Sequence, residues 1–201
     1  MKLNCKCGWC VGNTYIWNIN DNMVWIEIPK NATYNLKIAR FYNKPDVKMQ
    51  ILKPLDVLKY KRGFTIIREP IERFKSLLSH YFIKGRGNHK EWLSSIGYDS
   101  ESVSVDNICD IVLDNWDKIE NLSEPHHFSS QASFIPNEFF EINHIVFELS
   151  ESSLYLGLNK NFNSSDSFKI YISEENRKKI LEMYKDDVEL YQKHILDGRV
   201  Q

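Results

Sequence analysis

Short apolar runs alternate with segments of helical periodicity along most of the chain. Residues 24–29 (VWIEIP), 63–67 (GFTII) and 144–149 (HIVFEL) are rich in β-branched and aromatic side chains. They read as strands, the latter two as strands buried on both faces. Residues 15–19 and 24–29 flank an Asn-Asp-Asn turn and either pair as a hairpin or leave the second as a lone core strand. Residues 47–52 are a further short strand.

The helical rhythm is clearest after residue 69. Ile71, Phe74, Leu77, Leu78 and Tyr81 form one stripe, with Pro70 suited to a first helical turn. Leu36, Ile38, Ala39 and Phe41 mark a helix over 31–42, and 105–119 and 152–158 are further helices. Residues 173–196 open with Ser-Glu-Glu-Asn, a capping sequence, and carry Ile180, Met183, Tyr184, Val188, Leu190 and Tyr191, with a break near Asp186. EPHHFSSQASFI and 161–167 read as loops. Strands alternating with helices predict an α/β fold with a mainly parallel sheet. Such sheets bind ligands at the carboxyl ends of their strands. The polar junctions at Lys30 and Arg68 then open on one edge.

Composition adds boundaries. At 201 residues and 23.8 kDa the chain is expected to form one domain, residues 1–201, with 1–23 as a cysteine-containing extension or hairpin. A formal net charge of -1 argues against a general nucleic-acid binder, so any anion site is a local cluster. The start lacks a long apolar stretch and no run approaches a membrane span, so neither signal peptide nor membrane is expected and the location is read as cytoplasmic. Cys5, Cys7 and Cys10 form a C-x-C-x-x-C cluster. They are either soft-metal ligands, with Cys109 or a histidine as fourth, or simply reduced thiols. Trp17, Trp25, Trp92 and Trp116 read as core.

Two junctions carry candidate chemistry. In IPKNATYN a lysine stands where a strand gives way to a helix. Backbone N–H groups from Asn31, Ala32, Thr33, Tyr34 and Asn35 at that helix start, with the Lys30 ammonium, suit an anion. It is not a Walker A loop, since G-x-x-x-x-G-K-[ST] is absent. In IIREPIERFKS, Arg68 ends a strand, where a guanidinium can grip a phosphate by two bonds. Ser76 follows about two helical turns later, and Arg73 is the nearer alternative.

IPKNAT with TIIREPIERFKSLLSHYF resembles the two nucleotide-binding motifs of sulfotransferases that use 3′-phosphoadenosine 5′-phosphosulfate. The likeness is closest to the Golgi-type carbohydrate branch and its small bacterial and viral relatives, and covers roughly residues 24–196. PHHFSSQASFI is similar to a Pro-His-x-x-x-x-Gln loop near the acceptor, and Tyr184–Asp187 to a Tyr-x-x-Asp element. The chain departs from the family at Tyr34 and Asn35, where two hydroxyl residues are common. The resemblance implies a P-loop-NTPase-like three-layer fold, with helices flanking the sheet. It implies donor binding through residues 30–35, Arg68, Arg73 and Ser76, and transfer to a hydroxyl acceptor such as a glycan. The bisphosphate 3′,5′-adenosine nucleotide is the product, and no metal is required. It also implies His126 as base, with His127 and Gln131 at the acceptor. Glu27 and Glu148 are reserve bases. Lys30 would stabilise charge on the leaving oxygen. Two other classes stay open: a divergent nucleotide-dependent phosphotransferase, and a non-catalytic nucleotide- or metal-binding module.

Overall fold

Val24 and Ile26 alternate with Trp25 and Glu27, so a single strand supplies both faces of a sheet. The computed structural model describes residues 3, 15–20, 22–31, 48–50, 53–149 and 170–197. Two compact units emerge. A sheet unit combines Gly12–Glu69, Ser130–Phe162 and Asp186–Gln201; a helical unit combines Met1–Val11, Pro70–Ser129 and Asn163–Lys185.

In the sheet unit, β1 (Tyr15–Asn20) and β2 (Met23–Glu27) form an antiparallel hairpin with Trp17 opposite Trp25. β3 (Lys48–Gln50) pairs antiparallel with β1. β4 (Arg62–Ile67) runs parallel to β2, and β5 (Asn143–Glu148) runs parallel to β4. The order is β3-β1-β2-β4-β5. Among the described residues the sheet is therefore mixed but mostly parallel, with β1 alone opposed to the other strands, and the fold is α/β.

One face packs Ile16, Val24, Ile26 and Ile67 against Phe134, Phe139 and Leu190. The other stacks Trp17 on Trp25 and Trp25 on Phe64, with Phe147 edge-on. Gly63 is required by close approach: a Cβ there would lie 2.7 Å from Cε2 of Phe139. Thr65, fully buried in β4, satisfies its hydroxyl on the Ile26 carbonyl at 2.9 Å.

β5 differs from the expectation of a strand buried on both faces. It pairs only with β4 among the described residues, and Ile145 is 53% exposed. Apolar composition alone does not separate a central strand from a half-covered edge strand.

In the helical unit, α1 (Pro70–Leu78) starts at its proline and continues through a π-helical turn, Ser79–Ile83. The predicted stripe from Ile71 to Tyr81 is buried together with Trp92, Phe128 and Tyr184. α2 spans His89–Ser95 and α3 spans Ile108–Asp114. The single helix expected over 105–119 divides at Asn115, whose side chain donates to the Ile111 carbonyl at 3.0 Å before a 3-10 turn, Trp116–Asn121. Asparagine competes with helical backbone bonding in this way. α4 (Glu174–Met183) is capped by Ser173 Oγ, which accepts from Asn176 N–H at 3.2 Å. A break at Tyr184 precedes α5 (Lys185–Tyr191), whose residues from 186 onward belong to the sheet unit.

The helix expected beyond Asn31, the one at 152–158, the loop at 161–167, the ends of the 47–52 strand and the Cys5, Cys7 and Cys10 cluster lie outside the described residues. Among the described residues no helix is long and apolar enough to cross a membrane.

Candidate functional site

Beyond β2, Ile28 to Asn31 close a turn in which Asn31 N–H donates to the Ile28 carbonyl at 3.2 Å. Pro29 occupies its second position and Lys30 its third, with Lys30 at φ 71°. Proline followed by a positive φ is the type II pattern, and glycine or asparagine normally takes the third place. A lysine held there costs about 1–2 kcal/mol. Strain of this kind persists where surrounding contacts enforce it and concentrates at functional sites.

Those contacts are polar and buried. Asn31 donates its amide to the Ile66 carbonyl at 2.8 Å and to Gln131 Oε1 at 2.6 Å. The same Gln131 oxygen accepts Arg68 N–H at 2.9 Å, and Gln131 Nε2 donates to the Arg68 carbonyl at 2.8 Å. Gln131 is fully buried, and it locks the ends of two adjacent parallel strands with one side chain. The residue after Gln131 is held as well, since Ala132 N–H donates to buried Asp187 at 3.0 Å. Lys30 and Arg68, both half-buried, thus leave the carboxyl edge of β2 and β4 from fixed backbone.

This arrangement changes two sequence-based roles. Asn31 was expected to offer its N–H to an anion, but that N–H closes the turn and its amide ties β2 to β4. Gln131 was expected at the acceptor, yet its amide holds backbone. Glu27 is also engaged, accepting from Trp17 Nε1 at 2.5 Å.

The remaining candidates sit in the helical unit. Arg73 is 1% exposed and donates Nη1 to the Ser129 carbonyl and Nη2 to the His127 carbonyl, at 2.9 and 2.8 Å. Instead of meeting a phosphate with those nitrogens, its fork fixes a loop. Tyr184 assists by donating to the Phe128 carbonyl at 2.7 Å, as does Ser129 Oγ by accepting Leu3 N–H at 3.0 Å. Ser76 is half-buried on α1. His126 is buried, and desolvation pushes its pKa down from 6.5 to about 4. It is neutral at physiological pH and holds a lone pair to accept a proton. The Cys109 thiol, also buried, is pushed up to about 11 and is not a thiolate.

One grouping escaped the sequence reading. His80, Glu124 and His127 bring one ligand atom each within 4.8 Å of one another. The i, i+3 spacing of Glu124 and His127 was visible; the approach of His80 required the fold.

Ala32, Thr33, Tyr34 and Asn35 lie outside the described residues. Protein-family models, curated proteins and solved structures give no match to this chain.

Proposed function

We propose that the chain is a sulfotransferase that moves the sulfuryl group of 3′-phosphoadenosine 5′-phosphosulfate to a hydroxyl acceptor of the carbohydrate class, on a P-loop-NTPase-like sheet. The supporting observation is the pair Lys30 and Arg68. They leave the carboxyl ends of neighbouring parallel strands, and one buried amide fixes the Arg68 backbone and the residue after Lys30. Two cations on that edge suit a ligand with two separated anionic groups.

In this reading Arg68 grips the 3′-phosphate and Lys30 faces the 5′-phosphosulfate. The acceptor oxygen forms a bond to sulfur while the bond from sulfur to the nucleotide oxygen breaks. Lys30 stabilises the negative charge that gathers on the departing oxygen, which lowers the barrier because that charge is larger in the transition state. The acceptor proton passes to a histidine base, for which the family resemblance names His126. Its depressed pKa keeps it unprotonated through the neutral range, at the expense of basicity. Arg73, Tyr184 and Gln131 act on backbone and position the loops that carry the reacting groups.

The test is ligand-dependent melting followed by transfer of labelled sulfate. The 3′,5′-adenosine bisphosphate should raise the melting temperature and ATP with magnesium should not. Labelled donor should then yield a sulfated glycan or small alcohol. Stabilisation by ATP with magnesium alone would replace this reading with phosphoryl transfer.

A further inference from the structure

We propose that His80, Glu124 and His127 form a zinc site in the helical unit. The proposal goes beyond the sulfuryl-transfer reading and does not rest on it.

One ligand atom from each residue lies within 4.8 Å of the other two. In a tetrahedral zinc site, bonds of about 2.0–2.1 Å place ligand atoms roughly 3.4 Å apart. Small side-chain rotations close that difference, and all three residues are half-buried or more exposed. Two imidazoles and one carboxylate are the donor set that zinc accepts in sites with three protein ligands, leaving a fourth position to water.

The surroundings of His127 resemble those of a metal-bound histidine. Fully buried Tyr81 places its hydroxyl 3.0 Å from the Glu124 carbonyl and 2.8 Å from His127 Nδ1. With the phenolic proton on that carbonyl, the phenolic oxygen accepts Nδ1–H, the tautomer we assign to His127. In that tautomer the ring's lone pair is on Nε2, and Glu124 Oε2 lies 3.9 Å from Nδ1 of the same ring. An outer hydrogen bond that sets ring orientation and tautomer in this way is the usual support of a histidine ligand. The backbone of His127 is also fixed, because its carbonyl accepts from Arg73 Nη2 at 2.8 Å. His80 arrives from the π-helical turn Ser79–Ile83, a departure from α-helix that often marks functional positions. The metal would join that turn to the segment beginning at Glu124.

The experiment uses the full chain, stripped with chelator and titrated with zinc and with cobalt. One equivalent of zinc should bind and raise the melting temperature. Cobalt should give visible bands of a low-symmetry site without a thiolate charge-transfer band. Glu124→Gln and His80→Ala should each weaken zinc by more than about a hundredfold, while Tyr81→Phe should weaken it by roughly ten- to a hundredfold. The combined Cys5→Ser, Cys7→Ser and Cys10→Ser variant should bind as the parent does. Absence of zinc binding at micromolar concentration overturns the proposal, as does a thiolate band, loss of binding in the cysteine variant, or retention in Glu124→Gln. The last of these decides the matter even if His80→Ala fails to fold, since glutamine keeps the shape of glutamate.

Discussion

Arg68 and Arg73 are five residues apart and carry the same charge, yet the fold uses them oppositely. At Arg68 the backbone is the held part: both its N–H and its carbonyl are bound by Gln131, and its side chain leaves a strand end half-buried. At Arg73 the side chain is the holder: buried in the helical unit, its fork serves the carbonyls of His127 and Ser129. The first arrangement spends other residues on fixing the backbone so that a cation is delivered to a place. The second spends the cation itself on structure. Cations that face a ligand are expected where neighbours have already satisfied the local backbone, and the turn at Lys30 has the same character.

The largest expected effect tests that character. Lys30→Gly should lower sulfuryl transfer by about a hundredfold to a thousandfold, the range for removing one preorganised charge-stabilising group. The same substitution relieves a positive φ, so it should raise stability by about 1 kcal/mol in chemical denaturation. Lower activity in a more stable protein separates a ligand-facing residue from a structural one. Normal turnover would remove Lys30 from the reaction.

Arg73→Leu should come next, costing about 2–5 kcal/mol of stability because the buried Ser129 carbonyl and the part-buried His127 carbonyl lose their charged donor. Urea denaturation measures it. A change below about 1 kcal/mol would mean that the loop relaxes and that Arg73 is not its support.

Arg68→Ala should leave the Gln131 bonds in place, since they reach only backbone atoms. Affinity for 3′,5′-adenosine bisphosphate should fall roughly ten- to a hundredfold, with little change for the analogue lacking the 3′-phosphate. Equal losses for both ligands would break the contrast with Arg73.

The smallest effect is on pH dependence. Burial lowers the folded-state pKa of His126, so between 6.5 and about 4 the unfolded chain binds more protons at this residue than the folded chain. Its contribution to stability is complete above 6.5 and is lost as pH falls through that window, at about 1.4 kcal/mol per unit of pKa depression. His126→Gln should flatten that part of the stability profile. An unchanged acid limb would assign the loss to other groups.

Local sequence was enough for the elements whose signals are local. Pro70 and the stripe from Ile71 to Tyr81 specify α1, and Ser173 with its capping bond specifies the start of α4. Alternation in 24–27 specifies a two-faced strand, and the Pro-Lys step marks its exit. Motif and spacing also singled out Lys30, Arg68 and Gln131 together. They did not reveal which atoms each residue commits.

That division was decided by tertiary structure. Gln131 lies a hundred residues from Asn31 in sequence, and only the parallel pairing of β2 with β4 brings both strand ends within reach of one amide. Arg73 became a structural residue because burial made its two carbonyl partners more valuable than any exposed ligand. Likewise β5 is an edge strand among the described residues because strand order is a property of the whole sheet. Propensity and periodicity act over a few residues, and the sequence by itself determined what they govern. Which polar groups are satisfied by one another depends on contacts between distant segments, and burial makes an unsatisfied group too costly to leave.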